Sequence, residues 1–261
     1  MRSLSIAATG MLAQQLNVEV ISNNIANMNT TGFKRQRAEF QDLLYQTVER
    51  VGSTSSDSGT IVPAGVQIGL GVKAAAVYNI AEQGNLQSTD NPLDLAISGG
   101  GFFEVTLPSG DTAYTRAGSF QLSATGEIVT VDGYSVVPSI TVPTDATQIT
   151  VNASGQVLVK QPGSIADTVV GQLQLANFPN PAGLDPQGDN LFLETPASGS
   201  PTTATPGTSG LGTIKQGFVE TSNVNTVSEI TNLITAQRAY EMNSKVIQTS
   251  DEMLSTINRL R

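Results

Sequence analysis

The last 41 residues, Thr221–Arg261, contain neither proline nor glycine, and their apolar side chains recur every seven positions. Leu233, Tyr240, Ile247 and Leu254 form one row, with Ala239, Val246, Met253 and Leu260 beside it. Ala236 and Ile257 extend the stripe, while Asn243 and Ser250 interrupt it. A seven-residue repeat belongs to a helix that lies along another helix. Thr226-Val227-Ser228-Glu229 provides a capping box at its start, and Arg259 and Arg261 place positive charge at the negative end of the helix dipole. A helix of this kind cannot bury its seam alone, so the chain must supply a partner, within itself or from copies of itself.

A second heptad pattern runs from Ser3 to about Asn27. Leu4, Met11, Val18 and Ile25 recur at seven, with Ala7, Gln14, Ile21 and Met28 three residues after each. Ile6, Leu12, Leu16 and Val20 are apolar outside that stripe, so this helix needs neighbours on more than one side. The polar breaks Gln14, Asn243 and Ser250 are candidates for fixing register in the seam. Asn27-Met28-Asn29-Thr30-Thr31-Gly32 ends the pattern with helix-poor residues and then glycine, a stop and a turn.

Between these ends the chain changes character. Arg35–Val51 reads as helical or extended, Gly52–Thr60 is flexible by composition, and Val66, Ile68, Leu70 and Val72 alternate as in a strand. Short strand-like runs then follow one another across turn signals such as Pro108-Ser109-Gly110-Asp111, Thr125-Gly126 and the hairpin dipeptide Asp132-Gly133. The fold class expected is α+β: a discontinuous coiled-coil domain of terminal helices plus a central antiparallel β domain. Its parts are 1–35 with 218–261 (helical polymerisation domain), 36–90 (extended connection), 91–194 (β domain) and 195–217 (Pro/Ser/Thr/Gly-rich return linker).

Composition narrows the chemistry. With no cysteine and no histidine, disulfides, thiolate nucleophiles and Ser/His/Asp or Cys/His arrangements are excluded, and the commonest metal ligand is missing. The net charge of -9 argues against a nucleic-acid partner, which needs a basic face. That charge is concentrated: residues 51–220 carry four basic against fourteen acidic side chains, and the two ends are nearly neutral. No apolar run is long enough for a transmembrane segment, and Gln14, Gln15, Asn17 and Glu19 break any signal-peptide core. Gly69-Leu70-Gly71 and Gly99-Gly100-Gly101 lack the spacing of phosphate loops and read as turns or bulges. Asp90 and Asp94 bracket Asn91-Pro92 and read as turn carboxylates rather than a glycosidase pair. Lys34-Arg35-Gln36-Arg37 is a solvated stretch or an ion-pairing partner for an acidic neighbour, and Phe102-Phe103 reads as core on one face and interface on the other. No catalytic residue, metal site or cofactor is expected.

Three blocks in order carry a family resemblance. Ser22-Asn23-Asn24-Ile25-Ala26-Asn27 with Thr31-Gly32-Phe33-Lys34 resembles the N-terminal signature of bacterial flagellar rod and hook axial proteins. Gly101-Phe102-Phe103-Glu104-Val105 with Tyr114-Thr115-Arg116-Ala117-Gly118-Ser119-Phe120 resembles their shared β region. Val219–Asn225, Gln237-Arg238-Ala239-Tyr240-Glu241-Met242-Asn243 and Thr249–Leu254 resemble their C-terminal signature. Phe40–Gly71 is similar to the insertion of the distal-rod members, whereas hook members are longer in the middle. The resemblance implies a structural subunit, not an enzyme, that polymerises helically with itself into a hollow, straight drive shaft in the basal body. It implies passage through the flagellar type III export apparatus into the periplasm without a cleaved signal peptide. Implied partners are proximal rod proteins, the hook protein and the surrounding P and L ring proteins. The packing residues expected are Leu4, Met11, Val18, Ile21, Ile25, Leu233, Tyr240, Val246, Ile247, Met253, Leu254 and Ile257. A hook or proximal-rod role in the same family is the alternative; an extracellular β-rich binding module or a wall glycan hydrolase is a weaker one.

Overall fold

The computed structural model describes residues 2–49, 65–163 and 166–259, so the Ser-rich stretch Gly52–Thr60 and the residues Leu260 and Arg261 lie outside the described residues. The fold is α+β: helix α1 (Arg2–Ala26) and helix α2 (Thr226–Arg259) bracket a run of short, antiparallel strands. Two compact units divide the chain. One is Met1–Ile25, Gln36–Tyr78 and Thr226–Arg261; the other is Ala26–Arg35 and Asn79–Asn225.

In the first unit the two helices meet through Ser3–Ser250, Gly10–Asn243 and Asn24–Glu229. Moving seven residues up α1, from Ser3 to Gly10, moves seven down α2, from Ser250 to Asn243, so the pair is antiparallel. The heptads are therefore real, but the row facing α1 is not the large apolar one. Glu229, Ala236 and Ser250 are the buried residues of α2. They share a heptad row with Asn243, so the positions that looked like interruptions form the seam. Close approach explains this: a Cβ on Gly10 would lie 2.9 Å from the Asn243 amide nitrogen, leaving room for small and polar side chains only. Segment 35–51, readable as helix or strand, is extended: strand Gln36–Asp42 pairs with Val72–Asn79, and Tyr45–Glu49 pairs with Val66–Gly69. Tyr78 Oη donates to Glu39 across the first pair at 2.8 Å, and Val72 N donates to Thr9 Oγ1 of α1 at 3.4 Å.

The second unit is organised on strand Phe102–Thr106. It pairs along one edge with Thr112–Thr115 and along the other with both Leu175–Asn177 and Ser135–Val136, inside a nine-stranded antiparallel sheet. Alternation sends Phe103 and Val105 to one face, into the main core with Leu95, Ile97, Phe120, Ile128 and Leu175. Phe102 turns to the opposite face, where it meets Phe178 and Phe192 edge-on with centroids 6.0 and 5.9 Å away. That face carries a second, aromatic core, not the interface expected for it. The Asp132-Gly133 hairpin forms, but over a turn from Thr130 to Gly133 closed by Gly133 N donating to Thr130 O at 3.0 Å, one residue longer than the two-residue loop read from the dipeptide. Asp94 closes its own turn, accepting from Thr89 Oγ1 and Asn91 Nδ2 at 2.6 and 2.9 Å, which accounts for the Asp90–Asp94 spacing without catalysis.

Behind Phe102, Glu104 and Tyr114 are opposed on adjacent strands and both buried. Burial pushes the Glu104 carboxyl above its ordinary 4.5. Burial, and then Glu104 and Glu194, push Tyr114 up to about 12. A raised carboxyl penalises the folded state once the unfolded chain ionises, and the penalty vanishes where both forms are protonated. Glu104→Gln is therefore expected to raise stability at pH 7, with the gain shrinking as pH falls toward 4.5 and lost below it. Paired urea melts of the two proteins at pH 7 and pH 4 measure it; a gain that persists undiminished at pH 4 contradicts it.

Candidate assembly surface and its buried anchor

In the helical unit, the side chains expected to pack divide into two sets. Leu4, Met11, Val18 and Ile25 are half-buried and Ile21 is buried; Leu233, Ile247 and Leu254 are half-buried. Tyr240, Val246, Met253 and Ile257 are exposed, Met253 at 59% and Ile257 at 61%. With Met242, 63% exposed, the residues Val246, Met253 and Ile257 recur at helical spacing along one face of α2. Singly exposed apolar residues are ordinary, but a row of large ones on a helix marks an interaction surface. The signature residues Gln237, Arg238 and Glu241 are exposed and Ala239 is half-buried.

The N-terminal signature divides similarly. Asn23 is exposed, whereas Asn24 is 1% exposed: its Oδ1 accepts from Gln36 N and its Nδ2 donates to Gln36 O, both at 2.8 Å. The same amide reaches Glu229 Oε2 at 3.3 Å. One asparagine thus ties the end of α1 to the strand that follows and to the first turn of α2.

In the β unit, Asn27, Thr31 and Phe33 are half-buried, and Gly32 and Lys34 are buried. Lys34, 4% exposed, donates from Nζ to Glu220 Oε1 at 2.6 Å and to the Glu82 carbonyl at 2.8 Å. Arg116, 5% exposed, donates from Nε to Glu220 Oε2 at 2.6 Å. Its two terminal nitrogens hold the carbonyls of Gly101 and, at 2.6 Å, Gly99. The glycine triplet is thus a carbonyl cradle for a guanidinium rather than an amide cradle for phosphate. Glu220, 1% exposed, also accepts from Gly84 N at 2.8 Å, and its backbone carbonyl accepts from Gly32 N at 2.8 Å. Burial lowers the Lys34 pKa below its usual 10.5, an effect that the attraction of Glu220 opposes. One buried carboxylate shared by two buried cations is costly to desolvate and is retained only where every partner is in place. Asn223 completes the junction: its Oδ1 accepts from Arg35 N at 2.7 Å, and its Nδ2 donates to Ile80 O and Glu82 O.

The basic cluster at Lys34 is therefore an ion-pairing element at its first residue, not a solvated one. Glu220, Arg116 and Glu229 were not among the site residues expected. No local pattern marks them, because Glu220 lies 186 residues from Lys34 and 104 from Arg116.

A subunit whose N- and C-terminal signature segments meet inside the β unit at Lys34 and Glu220, and whose last helix displays a large apolar face, has the construction of an axial filament protein. Comparison with known proteins agrees. The family model described as "Flagella basal body rod protein" matches residues 4–34, the "Flagellar hook protein FlgE/F/G D1 domain" matches 96–159, and the "Flagellar basal body rod FlgEFG protein C-terminal" matches 215–260. Lys34, Arg116 and Glu220 come one from each matched segment. The chain is 64% identical over 261 residues, the whole of both chains, to the flagellar basal-body rod protein FlgG of Caulobacter vibrioides. It is 49% identical to FlgG of Borreliella burgdorferi and 41% identical to FlgG of Bacillus subtilis, covering 100% of this chain and 99% of each relative. The chain belongs to the FlgG family of flagellar basal-body rod proteins.

Proposed function

We propose that the chain is a structural subunit of the flagellar basal body that polymerises helically with itself into the hollow distal rod, the shaft that carries motor torque to the hook. The observation that supports this most is the division of labour on α2. Its small and polar row is spent on α1 of the same chain, and its large apolar row is left exposed. A torque-bearing joint is best served by wide, interdigitated apolar contact, which resists slippage at close-packed density. The exposed row is the surface for neighbouring copies. Its role is mechanical rather than catalytic. Its location is the periplasmic part of the basal body, reached through the type III export apparatus with its N-terminus retained. The proximal rod and hook proteins meet the ends of the polymer, and the P and L ring proteins surround it.

A photo-crosslinking residue at Met242, exposed at 63%, tests the reading in isolated basal bodies. Crosslinks to a second copy of the chain are expected. Exclusive crosslinking within the same chain, or none, overturns assembly through this face.

A further inference from the structure

The Lys34–Glu220–Arg116 cluster gathers segments that are far apart in the chain. Gly32 and Lys34 arrive at its beginning, Gly84 and the Gly99–Gly101 turn later, Arg116 from the β region, and Glu220 only near residue 220. Glu220 is the sole acidic side chain among these contacts, and it faces two cations. Until it arrives, Lys34 has the Glu82 carbonyl, and Arg116 has the carbonyls of Gly99 and Gly101, with no counter-charge for either. Burying an uncompensated cation is strongly unfavourable, so both side chains keep their water as long as the carboxylate is missing. Arg116 cannot stay hydrated while the sheet around it is closed. It directly follows Thr112–Thr115, which pairs with the central strand Phe102–Thr106, and its guanidinium grips the glycine turn that leads into that strand.

We propose that Glu220 is the closing element of the β unit: the sheet built on Phe102–Thr106 reaches its packed state only when Phe218–Glu220 docks and neutralises Lys34 and Arg116. The unit is thereby held open until the C-terminal motif has been delivered. A chain released from its N-terminus onward does not bury its β core while residue 220 is still withheld. The device needs charge and placement, not extra residues: strand Phe218–Glu220 pairs with Leu86–Ser88, and that pairing sets the carboxylate between the two cations.

Pulsed hydrogen exchange during refolding of the full chain, read by mass spectrometry, tests the proposal. Peptides spanning Phe102–Thr106 and Phe218–Glu220 are expected to gain protection in one phase. Protection of the central strand in an earlier phase overturns the proposal. Glu220→Gln keeps the shape and removes the charge; it is expected to slow protection of the central strand at least about tenfold, and an unchanged rate is the contrary result. Should that variant fail to fold, the triple variant Lys34→Met, Arg116→Met, Glu220→Leu still decides. Replacing all three charges removes the need to wait, so the central strand is expected to protect before Phe218–Glu220. Simultaneous protection in the triple variant shows that the coupling does not come from the charges.

Discussion

Replacing Val246 and Met253 together by glutamate is expected to abolish rod assembly and swimming while leaving the isolated subunit folded. Both side chains are exposed on the free face of α2, away from the Glu229–Ala236–Ser250 row that meets α1. Substitutions at exposed positions change stability by no more than about 0.5 kcal/mol. The same carboxylates carried into an apolar contact between copies must be desolvated without a partner, at several kcal/mol each. In a polymer every copy repeats the loss. The measurement is paired: swimming and basal-body micrographs in cells carrying only the variant, and a thermal melt of the purified subunit. Normal rods would remove α2 from the interface. A collapsed melt would show instead that these residues serve the subunit's own core.

Gly32→Ala has the second large effect, and it acts inside the β unit. Gly32 holds φ at +71°, and a Cβ there would come 2.6 Å from the Ala117 backbone nitrogen and 2.8 Å from the Arg116 carbonyl carbon. The left-handed conformation alone costs a residue with a side chain about 1–2 kcal/mol. The collision adds to that, because the atoms struck are backbone and because moving Arg116 disturbs the buried ion cluster. The total expected is above about 3 kcal/mol, read as a shift in the urea midpoint. Gly110→Ala separates the two causes. Gly110 has φ of +91° with nothing within 4 Å of a built Cβ, so it should lose only the conformational part. Equal losses at the two positions would dispose of the collision argument.

The sequence made the helices legible because a period is a local property, repeated over many turns. It did not reveal which heptad row faces inward. Gly10 brings the helices so close that Ala236, Asn243 and Ser250 take the seam. A row can be read from one helix; its orientation depends on the other. The β unit was legible through turn chemistry, since glycine and Asx turns are set by neighbouring residues. Segment 36–79 was less so, because its strands expose Tyr45, Val48, Val66 and Ile68 and carry no clean alternation between core and solvent. The buried cluster was least legible of all. Glu220 and Arg116 lay within recognised motifs, but nothing near either residue says that its charge is hidden or names its partner. The family signature at Asn24 has a local reason in the fold: it is the side chain that satisfies both backbone groups of Gln36.

The seam between α1 and α2 has one more consequence. A last helix that hides its small side chains and displays its large ones gains little from being alone. In the proposed assembly other copies cover that exposed area, so its thermal resistance is expected to depend on concentration. Dilute subunits are then expected to melt lower than assembled ones, each added neighbour steadying those already present. Growth from an existing end is then favoured over scattered nucleation in free solution.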